Sequence, residues 1–307
     1  MEVIDTHMHI NFECNSIYEG NKKIDDYINN KKIDFFIPSI NPKVDFYTCN
    51  LDCNNNCIIH EQNNSIVCPV ICKNRNRHRV TINDGLNGNL IAFCTTCNKI
   101  IYEGKDPFRE YNIKLIEFCK KFDSKPNLIL SMSNSTINEE IKFYEKNFHN
   151  SFLGYKLHPT SNFRDISDIK KFDSNRTILI HNDVHDYDSI DNSIKFALRY
   201  NGNVVLAHSY LLMTAEKLNI KNLYFDICPI DNFKKNINKI KHNQNYNDLK
   251  NIYDSALKYI NVDKLLFGTD WPYGSVWDNY DEIIKADIEE KSKQKILSLN
   301  AKKLYKI

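Results

Sequence analysis

A (β/α)8 barrel with a cysteine-rich insertion after its second strand is the fold the sequence predicts, and three observations predict it. Eight short apolar runs alternate with stretches of helical spacing. Side chains able to hold a metal end five of those runs. One long segment breaks the alternation, and it carries seven of the ten cysteines. At 307 residues the chain exceeds the usual single-core size but stays within the range of an α/β barrel with inserts. The barrel is therefore expected to span 1–307, with the inserted module at 47–105.

The runs are EVIDTHMHI (2–10), IDFFIPSI (33–40), NLILSMS (127–133), FLGYKLH (152–158), TILIHN (177–182), NVVLAHS (203–209), NLYFDIC (222–228) and KLLFGTD (264–270). Between them apolar residues recur at helical intervals. Tyr111, Leu115, Phe118 and Phe122 share one face, as do Ile137, Ile141, Tyr144 and Phe148. Thr136 and Glu139 stand at capping-box spacing before the second of these helices. Further helices are expected at 189–200, 210–218, 247–260, 276–287 and through the closing KQKILSLNAKKLYKI. Strand followed by helix, repeated, implies parallel strands joined by right-handed crossovers, and eight such units can close on themselves. An open doubly wound sheet competes, but its dinucleotide-binding version wants a glycine-rich turn after the first strand, and none is present.

Composition narrows the function classes. Hydrophobic residues make up 42% and charged residues 26% of the chain, ordinary values for a globular protein. A net charge of +2 creates no overall field that would favour nucleic acid or an anionic membrane. No run is long enough to span a bilayer and no secretory leader precedes the first strand, so a cytoplasmic protein is expected.

Residues two apart on a strand point to the same side, so Asp5, His7 and His9 of DTHMH are expected to face together. Two converging imidazoles are costly to bury unless a metal or a hydrogen-bond donor takes their lone pairs. The other strand ends carry matching chemistry: His158 with Lys156 two residues before it, His181, His208, and Asp270 in GTDWP. All stand at C-terminal ends, where barrel active sites are built.

DTHMH, GYKLHP, the His of ILIHND, the His of VVLAHS, GTDWP and the closing ILSLNAKKLY together resemble the amidohydrolase superfamily, in its amidohydrolase-2 branch with the aminocarboxymuconate semialdehyde decarboxylase-like enzymes. The resemblance implies that His7, His9, His181 and Asp270 hold a divalent metal, with His208 a further ligand or a group that orients substrate. It also implies Asp270 and His208 as catalytic groups: Asp270 accepting a proton from a metal-activated water, His208 polarising the substrate carbonyl. Lys156 could instead be a carbamylated bridge between two metals, or could join His158 in binding substrate. Zinc suits these ligands; manganese and iron are compatible. Trp271 and Tyr273 beside Asp270 could line the pocket. Asp5 is expected behind the ligands, orienting an imidazole.

Within the insertion, Cys68 and Cys72 pair with Cys94 and Cys97 across a stretch containing NDG and NG, a zinc-ribbon arrangement. Cys49, Cys53 and Cys57 with His60 would complete a second four-ligand site, giving one or two structural zinc ions. Arg109, just after the module, could reach a substrate carboxylate or could make an ordinary salt bridge at a helix start. The run KNRNRHR (73–79) invites nucleic-acid binding, but a solvated hairpin tip explains it more simply. The expected activity is hydrolysis of a C–N or ester/lactone bond in a small molecule, with non-oxidative decarboxylation of a small carboxylic acid as the alternative on the same ligands. A homo-oligomer is compatible with this reading.

Overall fold

The structure is a computed structural model that describes residues 1–10, 27, 33–40, 80–94, 98–159, 164–182, 190–209, 220–228, 252–258, 260–271 and 274–307. The fold is α/β with a core of parallel strands. Strands β1 (Ile4–Ile10) and β2 (Phe35–Ile40) pair with each other. Six more, β6 (Asn127–Ile129), β7 (Gly154–Leu157), β8 (Thr177–Ile180), β9 (Val204–Leu206), β10 (Leu223–Asp226) and β11 (Leu265–Leu266), form a second sheet in sequence order. All eight fall inside the apolar runs read from the sequence. Beyond the ladders, the Thr6 N–H donates to Phe267 O at 3.0 Å, Asp270 N–H to His7 O at 2.7 Å and His9 N–H to Trp271 O at 2.7 Å, joining the chain after β11 to β1. At the other end the Ser124 hydroxyl donates to Phe36 O, which brings β2 beside the segment that enters β6.

Alternation decides which side chains meet. Leu179, Val205, Tyr224 and Leu266 pack with Ile4, Ile37 and the C-terminal Leu304 and Tyr305 in one cluster. Their neighbours along the strands, among them Tyr155, Ile178, Leu206 and Phe225, pack against the helices in another. Each of these buried aliphatic or aromatic side chains contributes roughly 1.5–3 kcal/mol of hydrophobic stabilisation. Helix α1 (Arg109–Lys120) supplies Leu115 and Phe118, with Tyr111 and Phe122 against the same cluster. Helix α2 (Ile137–Phe148) buries Ile137, Ile141 and Tyr144, as its spacing predicts. Its predicted capping box does not form. Thr136 has helical backbone angles (φ −109°, ψ −33°) rather than an extended N-cap conformation, and its Oγ1 is buried without a hydrogen-bond partner.

Helices α3 (Ile190–Arg199), α4 (Ile252–Ala256) and α5 (Val276–Lys285) follow. The last helical stretch contains a π-helical turn at Lys295–Leu299, flanked by α6 (Glu290–Gln294) and α7 (Asn300–Tyr305). The Asn300 side-chain amide donates to Val262 O at 2.7 Å and Leu265 O at 2.8 Å, fixing this stretch to the entry of β11.

Part of the predicted insertion is a three-stranded antiparallel sheet of β3 (Val80–Asp84), β4 (Leu90–Cys94) and β5 (Lys99–Gly104). The NDG and NG stretch is its first turn, with Asn87 at φ 55° and Gly88 at φ 70°. Asp84 anchors this sheet over the C-terminal ends of β6 and β7: it accepts from Ser133 Oγ at 2.9 Å, Asn134 N at 2.7 Å and Arg164 NH1 at 3.0 Å. Cys49, Cys53, Cys57, His60, Cys68, Cys72 and Cys97, and the basic run 73–79, lie outside the described residues. Cys94 ends β4, and its side chain lies outside them too. No helix of the described residues is long and apolar enough to cross a membrane.

Candidate metal centre

Strand β1 places His7 and His9 at the C-terminal ends of the parallel strands. Its pairing with β2 shifts between Asp5 and Met8: Asp5 stands opposite Phe36 and Met8 opposite Pro38, three residues against two. This bulge changes the facing of the strand. Ile4 therefore joins the apolar layer, while both imidazoles turn towards β7 and the segment after β11. Asp5 does not join them. Its carboxylate accepts from Tyr27 OH, Thr269 Oγ1 at 2.6 Å, Thr269 N at 3.2 Å and His7 N at 3.1 Å. Contrary to the expectation from spacing, Asp5 orients no imidazole; it holds the backbone of His7 and the residue before Asp270. Burial pushes its carboxyl up to about 7, against the pull of the hydrogen bonds from Thr269 and Tyr27.

The imidazole of His7 is fixed from β10. Its Nδ1 lies 3.0 Å from Asp226 Oδ2, and that carboxylate oxygen can only accept while ionised, so the ring proton sits on Nδ1. Nε2 is left as a lone pair, 3.0 Å from Lys156 Nζ and 3.5 Å from Asp270 Oδ1. His9 Nε2 meets the same two groups, Lys156 Nζ at 3.1 Å and Asp270 Oδ1 at 3.1 Å. One ligand atom from each of His7, His9 and Asp270 lies within 4.8 Å of the others, all buried. Two imidazole nitrogens converging on one carboxylate oxygen, one of them on a ring already held through its far nitrogen, fit a divalent cation.

The remaining strand-end residues form a wall beside this point. His158 stacks on His181 with ring centres 3.8 Å apart and planes 14° from parallel. His181 Nδ1 lies 3.1 Å from His208 Nε2, and His208 Nδ1 donates to Cys228 O at 2.5 Å. His181 is not in the groups of convergent ligand atoms among the described residues. His208 is in one, with His7, Asp226 and Cys228. Asp226 and Cys228 were not singled out from the sequence, although they stand two apart at the end of NLYFDIC, the spacing that marks His7 and His9. Trp271 packs against Tyr27 with ring centres 5.3 Å apart, and Tyr273 lies outside the described residues. Arg109 gives Nε to Glu140 Oε2 at 2.9 Å and its NH2 to the other oxygen, with the guanidinium 4.2 Å above Phe143.

Burial dominates the electrostatics. It holds His7, His158 and His181 well below the usual imidazole value, with the Lys156 charge adding to the effect. It also brings Lys156 down to about 8. For Asp270 burial pushes upward, but His208, His9 and His7 outweigh it and keep the carboxylate well below its usual range. His7 thus offers a neutral imidazole and Asp270 an ionised carboxylate, the protonation states a divalent ion requires.

The family described as Amidohydrolase has a sequence model that matches residues 182–307, the segment carrying His208, Asp226 and Asp270. That segment is similar to the amidohydrolase family, and the buried His7, His9 and Asp270 form a group able to hold a metal ion. No curated protein matches it. Among solved structures, the chain is similar to 5-carboxyvanillate decarboxylase from Sphingomonas paucimobilis, at 10% identity and TM-score 0.58 over 100% of this chain and 99% of that one. It is also similar to 2,6-dihydroxybenzoate decarboxylase from Rhizobium, at 14% identity and TM-score 0.53 over 100% and 99%. A dihydroxybenzoic acid decarboxylase from a Polaromonas species, solved with bound manganese, matches at 12% identity and TM-score 0.51 over 99% and 97%. At such identities the likeness is one of fold.

Proposed function

We propose that this protein removes CO2 from a small carboxylic acid without oxidation, on a closed (β/α)8 barrel with the metal held by His7, His9, His181 and Asp270. The observation that carries this reading is the Lys156 ammonium, 3.0 Å from His7 Nε2 and 3.1 Å from His9 Nε2. The two carboxylates of the centre, Asp226 and Asp270, are already engaged by imidazoles. A divalent ion beside that ammonium suits an anionic substrate. The three neighbours whose names are decarboxylases of aromatic acids lend weight to the same class.

When bound, a divalent ion there supplies Lewis acidity, drawing substrate oxygens and steadying negative charge left on carbon, or lowering the pKa of a water in a hydrolytic reaction. The chain's own groups do the rest. His158 and Trp271 offer ring faces against which a planar acid can lie. His208 orients the substrate. Lys156, near 8, is an ammonium at neutral pH; its Nζ holds the proton that replaces the lost carboxyl group as the carbon–carbon bond breaks and CO2 leaves. Arg109 stays with Glu140 and takes no part.

Purified protein loaded with zinc or manganese is offered hydroxylated aromatic acids, with CO2 release measured, and in parallel a panel of lactones, esters and amides. Turnover of an acid, lost in Asp270→Asn, supports decarboxylation. Turnover confined to lactones, esters or amides overturns it in favour of hydrolysis.

For the insertion, residues 47–105, we propose a zinc module with Cys68, Cys72, Cys94 and Cys97 in one site and Cys49, Cys53, Cys57 and His60 in a second. Zinc per chain above what the barrel site takes is the expected result; an excess of zero sinks the module. A cytoplasmic enzyme fits these thiols, which need a reducing compartment to stay free for metal.

A further inference from the structure

The end of β10 touches two imidazole residues from other strands, His7 and His208, and reaches a third, His181, through His208. Asp226 Oδ2 accepts from His7 Nδ1 at 3.0 Å, and Asp226 Oδ1 accepts from the backbone N–H of His208 at 3.0 Å. Cys228 Sγ–H donates to the same Oδ1 at 3.2 Å, and Cys228 O accepts from His208 Nδ1 at 2.5 Å. A proton on His208 Nδ1 leaves Nε2 as the acceptor for His181 Nδ1–H at 3.1 Å. The whole chain of donors therefore runs one way, and both His7 and His181 end with Nε2 unprotonated. For His7 a second contact agrees: the Lys156 ammonium can only donate, and it sits 3.0 Å from Nε2.

We propose that Asp226 is a positioning residue of the metal centre: its two oxygens fix the tautomer of His7 and the backbone of His208, so that the imidazoles meet the ion with lone pairs rather than N–H groups. The inference rests on the metal-site reading above, not on which reaction follows. A carboxylate is needed because both oxygens must accept. An asparagine has one accepting oxygen and one donating NH2. With its oxygen kept by the His208 N–H, the NH2 faces His7 Nδ1 and drives the ring proton to Nε2, where it blocks the metal.

The test uses full-length protein labelled with 15N in histidine, first without metal. The ring signals of His7 are assigned by their loss in His7→Gln. Wild type is expected to show His7 protonated at Nδ1, and Asp226→Asn to show it protonated at Nε2. Metal dissociation constants, measured by competition with a chromophoric chelator, are expected to rise about 10- to 100-fold in Asp226→Asn. Asp226→Glu, which keeps two accepting oxygens, should restore the Nδ1–H form and part of the affinity. Wild-type His7 protonated at Nε2 overturns the proposal without recourse to any variant, and so does an Asp226→Asn protein that folds and binds metal as wild type does. A correct tautomer and a tight metal in a protein that decarboxylates nothing would sink the proposed reaction and leave this inference standing.

Discussion

Replacing Arg109 by Met removes a charge from a pair whose other member has no access to water. The side chain of Glu140 is 1% exposed and that of Arg109 33%. The pair is bidentate, through Nε and NH2, and Met keeps an apolar body above Phe143. Breaking a buried pair from one side typically costs about 3–5 kcal/mol, because the remaining charge stays buried. Since a third of Arg109 reaches solvent, water can partly replace it, and the expected loss is about 2–3 kcal/mol at pH 8 or so. Urea unfolding near pH 8 reads this directly, and the double variant Arg109→Met/Glu140→Gln should regain at least about half the loss. The other role open to Arg109 from its sequence is contact with a substrate carboxylate. An Arg109→Met protein as stable as wild type near pH 8, but unable to turn over a carboxylic acid, would refute the salt-bridge argument and restore that role.

Removing the metal with a chelator should destabilise the protein: an ion at a thousandfold excess over its Kd adds about 4 kcal/mol to the folded state, and a thermal melt with and without chelator reads the difference. Asp84→Asn should cost about 1 kcal/mol near neutral pH, a modest figure because Asp84 is more than a third exposed. Although burial pushes the Asp84 carboxyl up, Arg164, Ser133 and Asn134 hold it well below its usual range. Its contribution is therefore present above the ordinary carboxylate value and is lost as pH falls through the folded one; acid titration of both proteins should show the gap closing. Gly154→Ala should cost about 2–3 kcal/mol by calorimetry or urea, since the new Cβ would stand 2.3 Å from Thr177 O and 2.7 Å from Asn127 Oδ1, and the first of these is backbone in the adjacent strand.

The eight parallel strands were legible because each is a compact apolar run, and a buried strand needs little more than that and a neighbour. His7, His9, Lys156, His158, His181, His208 and Asp270 were legible because polar residues at the ends of apolar runs are conspicuous. Spacing carried less far where the backbone departs from a regular strand. The face of Asp5 was misread because the bulge between Asp5 and Met8 arises from pairing with β2, which no local pattern in DTHMH reveals. The Thr136 cap failed for a similar reason: residue types stand at the right interval, but the chain arrives at the helix already in helical conformation. The π-helical turn at Lys295–Leu299 left no mark in the apolar periodicity of the closing helix. Asp226 and Cys228 carry the same two-residue spacing as the first histidines and were not singled out.

Two residues of the centre adopt a backbone conformation that their side chains do not favour. His208 has φ 57° and Asp270 φ 55°, the left-handed region, at a cost of order 1–2 kcal/mol each. Both stand just after a strand ends. The conformations are held from below. The His208 N–H is taken by Asp226, and the Asp270 N–H by His7 O at 2.7 Å. Thr269, just before Asp270, gives both its N–H and its hydroxyl to Asp5. Both buried acids therefore serve the site: Asp5 secures one strained turn and Asp226 the other. This explains why the wall of imidazoles rests on two carboxylates that lie behind it, at 0% exposure each, where an acid without such work would be costly to bury. A site fixed in this way needs little rearrangement of its protein groups to take an ion, which is what a preorganised metal centre requires.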